Sequence, residues 1–136
     1  MPDKVNILDL IGKPFLMGAK GPTAFDCYNL CREVCKRGRL HLPDKESFVD
    51  NAIRHAAIVD GKESEYIRLE KPEPLCLVTI SLRPPFITHL GVVLDGVRFI
   101  HIMEKRHVAV ERLDNPIWQK RIEGYYRYVG PATRKS

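Results

Sequence analysis

Apolar positions recur with two different periods along this chain, and the change falls near Pro72 and Pro74. In the first part the period is helical. Cys27, Leu30, Cys31, Val34 and Cys35 fall at i, i+3, i+4, i+7 and i+8, one apolar face of a helix over 27–37. Asn29, Arg32, Glu33, Lys36 and Arg37 take the other face, Asp26 is suited to the N-cap, and Gly38 stops the run. A short helix is expected over 5–11, followed by a loop punctuated by glycine and proline from Gly12 to Pro22. A second long helix is expected from Asp44, with Phe48, Val49, Ala52, Ile53, Ala56 and Ala57 apolar and Asp60-Gly61 ending it. Beyond Pro74 the runs are short and rich in β-branched or aromatic residues, which predicts strands over 75–82, 87–94, 97–103, 108–113 and 122–128. Asn115-Pro116 opens a single helical turn through Gln119. Helices first and strands after is the order of an α+β domain, with helices packed on one side of an antiparallel sheet.

With 136 residues and no repeat, linker or low-complexity tract, the chain is expected to form one domain, 1–136, large enough to bury a core without staples. The net charge of +5 suits an anionic partner, but the basic residues are scattered, and no stripe of aromatic and basic residues supports nucleic-acid binding. No apolar run has membrane-spanning length, so no membrane partner is expected. Asp9, Gly12 and Lys13 interrupt the early apolar stretch, against a signal peptide. The expectation is a chain cytoplasmic as synthesised, delivered elsewhere, if at all, by a virion or another route. Cys27, Cys31, Cys35 and Cys76 then read as free thiols of a reducing compartment.

The chemistry concentrates at one cysteine and two histidines. Cys27 opens its helix, where the macrodipole favours the thiolate that nucleophilic attack requires. Cys31 and Cys35 lie one and two turns deeper, as core residues. Three cysteines spaced by four match neither the paired short spacings of structural zinc nor iron–sulfur runs, so no metal site is expected. His89 and His101 are 101 − 89 = 12 residues apart, around Leu94-Asp95-Gly96. A three-residue loop 94–96, with Gly96 left-handed, would pair 93 with 97 and set the two histidines directly opposite one another, Cβ atoms about 5 Å apart. One imidazole could then orient the other, as in a Cys–His–His triad. His41, His55 and His107 have no such company and read as structural.

These residues resemble the NlpC-type cell-wall cysteine peptidases, a branch of the papain-like fold. The resemblance runs from about Ile11 to Arg127 and is carried by IGKPFLMGAKGPTAFDCYNL, THLGVVLDGVRFIHIM and RLDNPIWQKRIEGYYRY. It implies Cys27 of DCYNL as nucleophile, His89 of HLGVV as base and His101 of FIHIM as the third member. It also places Phe15, Asp26 and Tyr28 beside the substrate. Phe15 stands where the family usually has tyrosine, Asn29 where it usually has glycine, and Pro74-Leu75-Cys76 where a Gly-Asp pair commonly opens the first strand. The aromatic-rich ending and Tyr28 are most similar to the branch found among phage tail-assembly proteins. The implied activity is hydrolysis of peptide-stem amide bonds of peptidoglycan, between D-glutamate and the following diamino acid, without metal or organic cofactor. The implied partners are stem peptides and phage tail proteins. Two rivals keep the same fold: a non-catalytic assembly protein, and a thiol acyltransferase or amidase on another substrate.

Overall fold

The computed structural model describes residues 5–43, 66–81 and 89–130. Helix α1 spans Cys27–Arg37, the limits its pattern predicts. Asp26 is extended, and its carboxylate accepts the Asn29 N–H at 2.8 Å, satisfying one of the amides a helix start leaves unpaired. At the other end Gly38 returns its N–H to the carbonyls of Cys35 and Lys36. The residues then form β1 (Tyr66–Leu69), β2 (Leu77–Ile80), β3 (His89–Val93), β4 (Arg98–His101), β5 (Ala109–Arg112), α2 (Pro116–Gln119) and β6 (Ile122–Tyr128). The six strands make one antiparallel sheet in the order β1-β6-β2-β3-β4-β5. The last strand is therefore inserted between the first two.

Alternation along β3 and β4 sorts the core into two clusters. Leu90, Val92, Ile100 and Ile102 join Leu30, Cys31 and Val34 of α1. Val93 and Phe99 join Val78, Ile80, Leu113 and Trp118. β2 and β3 are buried at every position, as strands covered on both faces must be. α1 packs on the sheet as expected, and the short turn α2 sends Trp118 into the second cluster.

Two further differences have local causes. Residues 5–11 form turns rather than a helix: Asn6 accepts the Leu8 N–H, Leu10 donates to Ile7, and Gly12 turns left-handed at φ 87°. Seven residues are too few to offset helix nucleation, and only Leu10 of this stretch is fully buried. Strand β1 is absent from the sequence reading because Tyr-Ile-Arg-Leu is an edge strand, exposed in its middle, with β6 as its strand partner. The expected helix from Asp44, including His55, lies outside the described residues, as do the ends of the expected strands at 82 and at 87–88.

Candidate active site

Cys27 is the first residue of α1 and is buried, 5% exposed. The helix packs along β3 and reaches β4, so the thiol and the two histidines ride on contacting elements. Asp26 fixes the approach to the helix. One carboxylate oxygen caps Asn29, and the other accepts the Gly18 N–H at 3.1 Å, holding the preceding loop against the helix start. Phe15, half-buried, bridges that loop to Phe25 and packs on the α1 cluster. Tyr28 is buried and its hydroxyl donates to the Pro43 carbonyl at 2.6 Å. Asp26 and Tyr28 thus spend these polar atoms on the protein's own backbone.

His89 opens β3 and His101 closes β4. Their rings meet with His89 Nε2 2.7 Å from His101 Nδ1. The register differs from the one the hairpin spacing suggested. Val93 pairs with Phe99 and Gly91 with His101, so the loop is 95–97 and His89 sits diagonally from His101 rather than opposite it. The partner has moved by two positions, which preserves parity, and both side chains stay on one face. Gly96 is not left-handed. Asp95 accepts the N–H groups of Val97 and Arg98 at 2.9 and 2.8 Å, and this carboxylate holds the turn that a left-handed glycine was expected to make.

The diagonal contact depends on Gly91. A Cβ there would lie 3.0 Å from the Ile100 carbonyl oxygen and from Phe99 Cδ2, and 3.2 Å from His101 Cβ. The glycine of the His-hydrophobic-Gly run is what lets β4 bring His101 across to His89. The His101 ring is further enclosed by edge contacts with Trp118 and a tilted contact with Phe99, at centroid distances of 4.8 and 5.0 Å.

Electrostatics follow from this enclosure. Burial, with the neighbouring His101 acting the same way, pushes His89 down to about 3, so its ring is neutral across the ordinary pH range. Burial lowers His101 as well, while Glu111 opposes that shift. Glu111 Oε2 lies 3.4 Å from His101 Nε2. This residue was missed in the sequence, where a lone acid in an expected strand carries no signal. Cys35 and Cys76 are both pushed up to about 12, chiefly by burial, which makes them unreactive thiols.

Among the described residues no group of three or more histidines, cysteines or acids is arranged to hold a metal ion. No described helix is long and apolar enough to cross a membrane. A cavity of about 620 Å³ opens beside His101, lined also by Arg106, Glu111, Trp118 and Arg121 among others. A second cavity of about 610 Å³, at Arg68 and Glu123, has no thiol or imidazole in its described wall.

A Cys-opened helix lying on an antiparallel sheet that presents two contacting imidazoles defines a papain-like α+β protein. The sequence profile of the NlpC/P60 family matches residues 12–127, and the chain belongs to that family. Solved structures of the family share the fold. The NlpC/p60 domain of the peptidoglycan hydrolase SagA is 18% identical with a TM-score of 0.57, the match covering 88% of this chain and 91% of that one. An NlpC/P60 family protein from Bacillus cereus is 16% identical with a TM-score of 0.64, over 94% of this chain and 42% of that one. A lipoprotein-like NLP/P60 family protein from Staphylococcus aureus is 22% identical with a TM-score of 0.59, over 90% and 38%. This chain therefore spans about two-fifths of the length of the last two. No curated protein sequence matches it.

Proposed function

We propose that this protein is a cysteine peptidase that hydrolyses amide bonds in the peptide stems of peptidoglycan, with Cys27 as nucleophile, His89 as base and His101 as the group that orients His89. The observation that carries the reading is the 2.7 Å contact between two buried imidazoles on strands against which a Cys-opened helix packs. His89 is the first residue of β3 and Cys27 the first of the helix that packs along that strand, and we assign the reaction to these two residues.

The chemistry follows from the groups available. His89 Nε2 is engaged with His101, which leaves Nδ1 to take the proton from the Cys27 thiol. The sulfur attacks the stem carbonyl, and the negative charge passes to the carbonyl oxygen, where the Cys27 backbone N–H at the helix start can stabilise it. His89 then returns the proton to the leaving amine, and water releases the acyl group from sulfur by the same path reversed.

Two features favour an anionic stem as substrate. The family includes SagA, a peptidoglycan hydrolase. Arg106 and Arg121 line the cavity that His101 borders and give it positive groups suited to the carboxylates of D-glutamate and a diamino acid. By resemblance the bond cut is the one between those two residues, and delivery belongs to a phage tail or another carrier after cytoplasmic synthesis. Incubating purified peptidoglycan with wild type and Cys27→Ala, and weighing the released fragments, tests the proposal. Stem fragments ending at D-glutamate from wild type alone are expected; identical digests from both proteins would refute it.

A further inference from the structure

The relay across the sheet does not stop at His101. β3, β4 and β5 are adjacent, and His101 pairs with Ala109 while Phe99 pairs with Glu111. Glu111 therefore stands two residues along β5 from the position opposite His101, on the same face, just as His89 stands two residues along β3 from the position opposite its partner. Three side chains on three neighbouring strands form one line: His89 Nε2 to His101 Nδ1 at 2.7 Å, then His101 Nε2 to Glu111 Oε2 at 3.4 Å.

From this geometry we infer that Glu111 is a positioning residue that selects the tautomers of both histidines. A carboxylate can only accept a hydrogen bond, so its partner nitrogen must carry the proton. With Nε2–H toward Glu111, neutral His101 has a bare Nδ1, and that atom accepts from His89 Nε2–H. Neutral His89 then has a bare Nδ1, the lone pair needed to take a thiol proton. The reverse arrangement, with His101 Nδ1–H donating to His89 Nε2, would protonate His89 at Nδ1 and leave it without a lone pair for the thiol.

Contact between two imidazoles cannot choose between these arrangements, because either ring can donate. Among the described residues, Phe99 and Trp118 meet His101 through ring contacts, and neither offers it an acceptor. Glu111 breaks the symmetry. It has a second effect once His89 is protonated: its negative charge on the line of the two rings favours the buried imidazolium, which burial otherwise disfavours.

The catalytic consequence rests on the proposed Cys27–His89 chemistry, whereas the tautomer assignment does not, and this separates the two in an experiment. The full chain, labelled with 15N-histidine, is examined by two-bond 1H–15N spectra at neutral pH as wild type, Glu111→Gln and Glu111→Met, alongside kcat and KM on a stem peptide. Wild type should show His89 and His101 both as Nε2–H. Glu111→Met should lose that fixed pattern and fall about tenfold in kcat with KM little changed, the loss expected for one charge-assisted hydrogen bond. Glu111→Gln, which keeps an acceptor oxygen but can also donate, should fall between them. Wild-type His101 carrying its proton on Nδ1, or a Glu111→Met protein with unaltered tautomers, would overturn the inference. Altered tautomers in proteins that are all inactive, wild type included, would uphold it and refute the peptidase reading instead.

Discussion

Replacing Gly91 with alanine adds one methyl group at the most crowded point of the site. That Cβ would meet the Ile100 carbonyl oxygen and Phe99 Cδ2 at 3.0 Å and His101 Cβ at 3.2 Å. None of the three can retreat freely. Ile100 lies in β4, held between β3 and β5, while Phe99 is fully buried and packed against Trp118 and His101. Overpacking of this kind costs about 1–3 kcal/mol. Removing a glycine from a strand returns roughly 0.5–1 kcal/mol. The net expectation is a loss of about 1 kcal/mol, equivalent to a fall in Tm of about 4 °C for a domain of this size. The larger effect is on the relay. Moving β4 enough to admit the methyl shifts His101 relative to His89, and small misplacements in such a constellation cost up to about 100-fold. Thermal and urea unfolding should therefore show a modest loss, while kcat on a stem peptide falls at least tenfold. A variant as stable as wild type, with kcat unchanged, would refute the account of why this position is glycine.

The buried histidines make stability depend on pH. Because His89 is held well below its ordinary value, the unfolded chain binds the proton first, so stability is full above about pH 6.5 and declines as pH falls toward 3. His89 alone should remove about 2 kcal/mol between pH 6.5 and 5; urea midpoints across that window check this, and His89→Gln should flatten the slope. Gly96→Ala should stay within about 0.5 kcal/mol of wild type, because the position has open space and ordinary φ while Asp95 holds the turn. A large loss of melting temperature would show that the glycine is needed after all. Iodoacetamide near neutral pH should leave Cys35 and Cys76 unmodified in the folded protein, and rapid labelling of either, read by peptide mass, would contradict their burial.

What the sequence disclosed and what it hid have physical reasons. α1 was legible to the residue because a cap, a stop and a regular period all agreed there, and β6 because of its aromatic-rich run. The face shared by His89 and His101 was legible as well, since parity survives a shift of two positions; the partner of each histidine was not, because turn chemistry sets register and Asp95 took over the task expected of Gly96. Strand β1 carries no apolar alternation and takes its place in the sheet by pairing with β6, a contact some 60 residues away in sequence. Glu111 was hidden for the same reason. Its relation to His101 exists only once β5 is laid beside β4, and no spacing within one strand announces it.

The central claim is that His89 activates Cys27, and an electrophilic stem peptide that alkylates thiols tests it most directly. Intact-mass kinetics should show one adduct on wild type, mapped to Cys27 by digestion, and none on Cys27→Ala. His89→Ala, which keeps the thiol, should react at least about 100-fold more slowly near neutral pH, the lower end of what a positioned base contributes. Equal rates for wild type and His89→Ala, or an adduct that persists in Cys27→Ala, would contradict the account.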